Sequence, residues 1–249
     1  MSSPVKYVEN HNGKFLVLRG DQWIRHGIEH VDLIGFELRK FDQLLNIAKK
    51  MRPFQKDVID GGSNMGSWTI PIALKHADLT FHMFEVQRYL HWISCGNLAL
   101  NHVLNARARW CGLGSQNGEI VLSVPDYTLA GNFGSFEVQQ PFANSDCVLV
   151  LSNHKDTVPV TTVDSLNLSP LLIKFDVEGM EWSCLQGATN TIGNFEPIVW
   201  CESQKSDPET IIPWMTSRGY SLSFALEGHW TFLPQWLHNN KDLSNILNS

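Results

Sequence analysis

Along the chain the apolar positions change period once. Short apolar stretches between Lys14 and Ile24 flank Gly20-Asp21, which predicts a small hairpin; between 36 and 51, Phe36, Leu38, Phe41, Leu44, Leu45, Ile47 and Ala48 recur at helical spacing. From Val58 onward the pattern becomes apolar strand, glycine-rich or polar turn, then helix. Strands are predicted at Val58 to Asp60, Leu79 to Glu85, Ala108 to Leu113, Leu171 to Asp176, Ile198 to Glu202, Ser221 to Leu226 and Trp230 to Leu233. Helices fit at Ser67 to His76, Gln87 to Asn101, Gly179 to Thr189 and Pro208 to Ser217. In the second of these, Tyr89, Trp92, Ile93, Gly96, Leu100 and Val103 fall on one face, which with Trp68 is expected to pack on a sheet.

This alternation predicts the α/β class: a doubly wound, mainly parallel sheet with its ligand at the C-terminal strand edge. Glu119 to Val163 breaks the rhythm. Its two alternating segments, Glu119 to Val124 and Val158 to Val163, surround the turn-rich Asp126 to Ser135 and predict an inserted hairpin or flap over the ligand edge. Residues 1–56 read as a cap of hairpin and helix, and 57–249 as the main domain.

Composition narrows the function classes. With 43% hydrophobic and 18% charged residues in 249, the chain has a core to bury and is not an intrinsically disordered regulator. Lys and Arg number 19 against 25 Asp and Glu, a net charge of -6, and no basic block exceeds Lys49-Lys50-Met51-Arg52, so nucleic acid is not an expected partner. Cysteines 95, 111, 147, 184 and 201 show no CxxC spacing and read as free thiols of a reducing compartment. Lys6, Glu9, Lys14 and Arg19 precede any long apolar run, and no segment reaches the roughly 20 apolar residues of a membrane span. The expected location is the cytoplasm, without a membrane segment.

The sharpest chemical signal is Val58-Ile59-Asp60-Gly61-Gly62-Ser63-Asn64-Met65-Gly66, a strand ending in an acid and entering a glycine loop that opens a helix. Position 63 is serine where GxGxxG would require glycine, so a dinucleotide fingerprint is absent. The acid-x-Gly-x-x-x-Gly spacing instead lets backbone approach a ligand without a diphosphate, with helix-start amides meeting a carboxylate; this suits S-adenosylmethionine. Asp60, Gly61, Gly62, Ser63, Asn64 and Gly66 are the cofactor-binding candidates of this loop. The next strand ends in Glu85, 25 positions beyond Asp60, where a carboxylate accepts both ribose hydroxyls of an adenosine. Val86 follows it. Gly112 and Leu113, in Cys111-Gly112-Leu113-Gly114, put small and apolar groups where an adenine would lie.

Leu171-Leu172-Ile173-Lys174-Phe175-Asp176-Val177-Glu178-Gly179-Met180-Glu181 discharges three carboxylates within six positions of an apolar strand end. Methyl transfer from a sulfonium needs an in-line nucleophile, and a hydroxyl is a poor one until its proton is accepted or held. Asp176 is the first candidate for that role, and for cofactor contact, with Glu178 next and Glu181 supporting the following helix. Glu202 ends the neighbouring strand, so Asp176 and Glu202 offer hard ligands for a shared Mg²⁺. The metal-free version is preferred, since no third ligand is evident. The ten histidines form no HExxH or Cys/His framework, which argues against zinc. Trp214, Trp230 and Trp236 suit a core, an interface or a sugar-stacking wall.

Together these residues resemble the FkbM-type class I methyltransferases over roughly Val58 to Glu202. The resemblance rests on the Asp60 to Gly66 loop, Phe84-Glu85, Asn97 and Asn101, Val163-Asp164-Ser165-Leu166, Ile173 to Glu181, Leu185, Gly187-Ala188, and Pro197 with Glu202. Gly62-Ser63 replaces the family's usual Gly-Ala, and Phe84-Glu85-Val86 its Phe-Glu-Pro. The resemblance implies a seven-stranded Rossmann-like sheet, S-adenosyl-L-methionine as methyl donor, and O-methylation of a saccharide or small hydroxylated acceptor. A protein or nucleic-acid methyltransferase, and a cofactor-binding scaffold without catalysis, are the competing readings; the latter leaves the acids from Asp176 to Glu181 unused.

Overall fold

A computed structural model describes residues 3–30, 32–137, 149–226, 228–238, 240 and 243, with side chains at these positions except 32–37 and 224–226. The chain opens with an antiparallel hairpin, β1 (Val5–Asn10) and β2 (Gly13–Leu18), then α1 (Ile24–His30) and α2 (Asp32–Met51). The hairpin turns at His11-Asn12, not at Gly20-Asp21 as the pattern predicts. The Asn10 side chain explains this: its Oδ1 accepts from the Asn12 N–H at 2.7 Å, closing an Asx turn. In α2, Leu38, Phe41, Leu44, Leu45, Ile47 and Ala48 are buried as predicted, while the Phe36 side chain lies outside the described residues.

The main sheet has seven strands. Its chain order begins with β3 (Asp57–Gly61), α3 (Thr69–Lys75), β4 (Thr80–Glu85), α4 (Arg88–Leu100) and β5 (Ala106–Trp110). Then come β6 (Gly112–Leu113), β7 (Gly118–Pro125) and β8 (Leu151–Thr161), which form a separate three-stranded sheet in the order β6-β8-β7. The chain returns through β9 (Pro170–Phe175), α5 (Glu181–Gln186), α6 (Thr189–Phe195), β10 (Ile198–Glu202), α7 (Pro208–Thr216), β11 (Tyr220–Leu226), β12 (His229–Pro234) and α8 (Gln235–His238). Strand order is β11-β12-β10-β9-β3-β4-β5; β12 pairs antiparallel with β10 and β11, and the remaining pairs are parallel. The order reverses between β3 and β9, which is where a doubly wound sheet opens a crevice.

Both faces of the sheet are covered. Val58, Phe81, Met83, Leu172 and Trp200 pack with α2, α3, α4 and the hairpin, whereas Ile59, Ile173, Phe175, Val199 and Phe232 pack with α5, α6 and α7. The predicted strand from Ala108 to Leu113 is two strands in two sheets. Its break is at Cys111, whose N–H still bonds the Glu85 carbonyl, while the Gly114 N–H bonds Thr161 on β8.

Two helices differ from the pattern. The face of α4 that is buried carries Leu90, Ile93, Ser94, Asn97 and Leu98, and Trp92 is 57% exposed beneath the Arg88 guanidinium. Asn97 sets this rotation: its amide donates to the carbonyls of Leu16 (3.0 Å) and Met65 (2.8 Å) and its oxygen accepts from the Leu16 N–H. Satisfying that buried amide outweighs the apolar count of the other face. The helix expected from Gly179 to Thr189 is split into α5 and α6. At Gly187 a Cβ would sit 2.0 Å from the Gly114 carbonyl oxygen, and Asp164 accepts the N–H groups of Asn190 and Thr191, starting α6 afresh.

Cys95, Cys111, Cys184 and Cys201 are free thiols, and Cys147 lies outside the described residues. Among the described residues no helix is long and apolar enough to cross a membrane.

Gly62 is the tightest backbone position of the loop after β3. Its φ is +78°, and a Cβ there would lie 1.8 Å from the Asp176 carbonyl oxygen. A side chain at 62 therefore collides with β9's exit, not only with ligand space. Gly62→Ala is expected to lower the unfolding free energy by about 2–5 kcal/mol, combining left-handed strain with overpacking. Urea titration checks this, and a variant within about 0.5 kcal/mol of the parent contradicts it.

Candidate active site

The crevice above the C-terminal ends of β3, β4 and β9 holds two adjoining cavities, of about 240 Å³ and about 560 Å³. Gly62, Asn64, Gly134, Asp176 and Glu178 line both. Glu85, Val86, Gly112 and Leu113 line the smaller one; Ser63 and Glu202 line the larger. Asp60, Gly61 and Gly66 border neither, although the sequence places them in the same loop.

Asp60 is fully buried below the loop. Its Oδ2 accepts from the Thr69 hydroxyl at 2.6 Å, and its Oδ1 lies 3.3 Å from the Lys174 ammonium. The loop amides are occupied as well. The N–H groups of Gly62 and Ser63 both donate to the Phe84 carbonyl, Asn64 to Glu85 Oε2, Met65 to Asn64 Oδ1, and Gly66 to the Ser63 carbonyl. They hold the loop against β4.

Glu85 is 5% exposed, and its two oxygens accept from the N–H groups of Asn64 and Gln87, each at 2.8 Å. Burial dominates its protonation and pushes the carboxyl up to about 7, although those two donors favour the charge. The Gln87 side chain donates to the Phe133 carbonyl, tying the start of α4 to the segment after β7.

At the tip of β9, Lys174 is a residue the sequence reading quoted without giving it a role. It is 3% exposed, pairs with Asp176 at 3.0 Å as well as with Asp60, and lies 5.1 Å from the Trp200 ring centroid. Burial opposes its charge, but the two carboxylates outweigh that and raise its basicity. Burial likewise disfavours ionisation of Asp176, yet the Lys174 ammonium, with His229 and Lys205 beyond it, holds that carboxyl below the usual range. A lysine inside the apolar run Leu171 to Phe175 was the available signal. Lys205, also missed, pairs with Glu178 and, at 3.1 Å, with Glu137. Burial pushes Glu178 up to about 7 and Glu202 up to about 9, with neighbouring carboxylates adding to each shift. Glu181 turns away from both cavities and caps its own turn, accepting from the Val177 and Gly179 N–H groups and the Ser206 hydroxyl. The indoles at the larger cavity are Trp23, Trp68 and Trp200; Trp214, Trp230 and Trp236 border neither cavity.

A Rossmann-like sheet whose strand order reverses beside a glycine loop, with acids at its strand ends, defines a doubly wound α/β protein with its crevice at the switch point. The sequence pattern of the methyltransferase FkbM domain matches residues 60–222, and the chain belongs to that family. No curated protein matches the sequence. Among solved structures, methyltransferase FkbM from Methylobacillus flagellatus KT is 16% identical, with a TM-score of 0.49 over 72% of this chain and 43% of its own. The chain thus spans under half the length of that relative. TYW2 from M. jannaschii in complex with AdoMet is 12% identical, with a TM-score of 0.39 over 93% of this chain and 84% of its own. The tRNA (uracil-54, C5)-methyltransferase of Pyrococcus abyssi, in complex with S-adenosyl-L-homocysteine, is 10% identical, with a TM-score of 0.41 over 93% and 43%.

The raised Glu85 carboxyl has a measurable sign. A group that binds its proton more tightly folded than unfolded contributes stability in full below its unfolded pKa near 4.5 and loses it as pH rises through about 7. Glu85→Gln is therefore expected to flatten the fall in melting temperature of the ligand-free protein between about pH 5 and pH 8. Thermal melts across that range check it; identical profiles for parent and variant contradict it.

Proposed function

We propose that the protein transfers a methyl group from S-adenosyl-L-methionine to a hydroxyl of a saccharide or small hydroxylated metabolite. The observation that carries this reading is the pair of adjoining cavities with Asp176 and Glu178 at their common boundary. The smaller cavity suits an adenosine. Glu85 retains lone pairs for ribose hydroxyls, and Gly112 and Leu113 supply a flat apolar wall. The larger cavity suits the acceptor, with indole faces and buried polar atoms that have no hydrogen-bond partner among the described residues, among them Ser63 Oγ and Trp200 Nε1. The residues from Gly61 to Gly66 that miss the cavities support the loop from below.

S-adenosylmethionine supplies an electrophilic methyl on a sulfonium. The acceptor oxygen attacks that carbon, the carbon–sulfur bond breaks with its electrons remaining on sulfur, and S-adenosylhomocysteine leaves. Asp176, held by Lys174, accepts the hydrogen bond that aims the hydroxyl and takes up its proton as the new bond forms, and Glu178 at the same boundary is the next candidate for that role. The division of the chain into a cap at 1–56 and a catalytic domain at 57–249 belongs to the same proposal, as does a cytoplasmic location.

Two measurements test this. Glu85→Ala is expected to weaken S-adenosylhomocysteine binding by about 1.5–3 kcal/mol, roughly ten- to hundredfold, in calorimetry; unchanged affinity in a folded variant removes the ribose role. Labelled methyl transfer to a panel of hydroxylated acceptors identifies the substrate, and on it Asp176→Asn is expected to lower turnover by about 10²–10⁴ while keeping cofactor affinity. Turnover at the parent rate removes Asp176 from the mechanism.

A further inference from the structure

Three carboxyl groups border the second cavity, alongside the ammonium groups of Lys174 and Lys205 and the imidazole of His229. Asp176 leaves the end of β9, Glu178 follows two residues later, and Glu202 ends β10; one carboxylate oxygen from each lies within 4.8 Å of the others. The third acid, absent from the sequence pattern as a ligand, is brought in by the turn after β9. Glu178 has φ +56° and Gly179 φ +95°, so two successive left-handed residues fold the chain back and carry the Glu178 carboxylate toward Glu202. Left-handed backbone at a glutamate is strained and held by its surroundings.

Lys174, Lys205 and His229 face this group, and both lysines are shared. Lys174 also pairs with Asp60, and Lys205 also pairs with Glu137. Four carboxylates, Asp60, Asp176, Glu137 and Glu178, therefore share two ammonium groups. Glu202 is the member neither lysine reaches in an ion pair among the described residues. It is 6% exposed, lines the larger cavity, and its Oε2 has no hydrogen-bond partner among the described residues. A buried carboxylate oxygen left without a partner is costly unless a ligand supplies one.

We infer that Asp176, Glu178 and Glu202 form a divalent-cation site in the larger cavity, whose open coordination positions hold an oxygen of the acceptor. Three carboxylate oxygens are hard ligands of the kind Mg²⁺, Mn²⁺ and Ca²⁺ take, and a coordination number of six or more leaves room for water and for a substrate hydroxyl. The ion orients that oxygen and offsets charge as the hydroxyl loses its proton; it changes neither oxidation state nor the bonds made and broken. The role toward an acceptor rests on the methyltransferase reading, whereas cation binding itself does not. An ammonium-bearing acceptor would meet the same acids, and metal binding to the free protein separates the two.

The test is titration of the full-length chain with Mn²⁺ alone, followed by electron paramagnetic resonance, with S-adenosylhomocysteine affinity measured by calorimetry on the same preparations. One saturable Mn²⁺ per chain, displaced by Mg²⁺ or Ca²⁺, is the expected result. Glu202→Gln is expected to weaken Mn²⁺ at least about tenfold and leave S-adenosylhomocysteine affinity unchanged, since Glu202 borders only the larger cavity. Should Glu202→Gln fail to fold, Glu178→Gln is read on Mn²⁺ affinity alone, since Glu178 borders both cavities. Absence of saturable binding up to about 10 mM Mn²⁺, or undiminished binding in a folded variant, overturns the site. A chain that binds S-adenosylhomocysteine but no Mn²⁺ loses this inference and keeps the methyltransferase reading; one that binds Mn²⁺ but not S-adenosylhomocysteine does the reverse.

Discussion

A single buried ammonium organises the centre of this molecule. Asp60, Lys174 and Trp200 are register neighbours on β3, β9 and β10, so their side chains share one face of the sheet where strand order reverses. Burying a lysine costs several kcal/mol, which its two carboxylate partners offset; removing one of them from such a pair costs about 3–5 kcal/mol. Lys174 therefore fixes the tips of β3 and β9 relative to each other. The Asp176 N–H, bonded to the Gly61 carbonyl at 3.0 Å, continues the same link by one residue. Gly62 must pass against the Asp176 carbonyl because these tips are held so close.

Function and stability meet at that junction. Asp60 carries the signature position of the glycine loop, yet its carboxylate serves Thr69 and Lys174 and reaches neither cavity. Its effect on a ligand is indirect, through the placement of Asp176. Glu85 has a complementary arrangement, with both oxygens already bonded to backbone and still facing the smaller cavity. Such double use explains why the acids of the crevice differ so much in basicity: Asp176 touches an ammonium, whereas Glu202 has burial and like charges around it.

The larger cavity is assembled from segments distant in the chain. Lys205, after β10, bonds Glu178 after β9 and the Ser135 carbonyl and Glu137 carboxylate after β7. Trp23 enters from the segment before α1 and His229 from the start of β12. Each contributor is short and polar at its tip, so none carries a periodic signal of its own.

Most of the sheet was legible in the sequence because buried parallel strands are continuous apolar runs, and β10 was read to its last residue. The glycine loop and the acids at 85, 176, 178 and 202 were legible for a related reason: chemistry at a strand end follows directly from where the apolar run stops. What the sequence did not determine was orientation. The turn of the first hairpin depended on Asn10, the rotation of α4 on the buried amide of Asn97, and the break between α5 and α6 on Asp164 and a backbone approach at Gly187. Likewise the acids' partners were settled only in three dimensions. Whether a carboxylate meets Lys174, a backbone N–H or nothing depends on which strands become neighbours, and that pairing is a property of the packed sheet rather than of any local pattern.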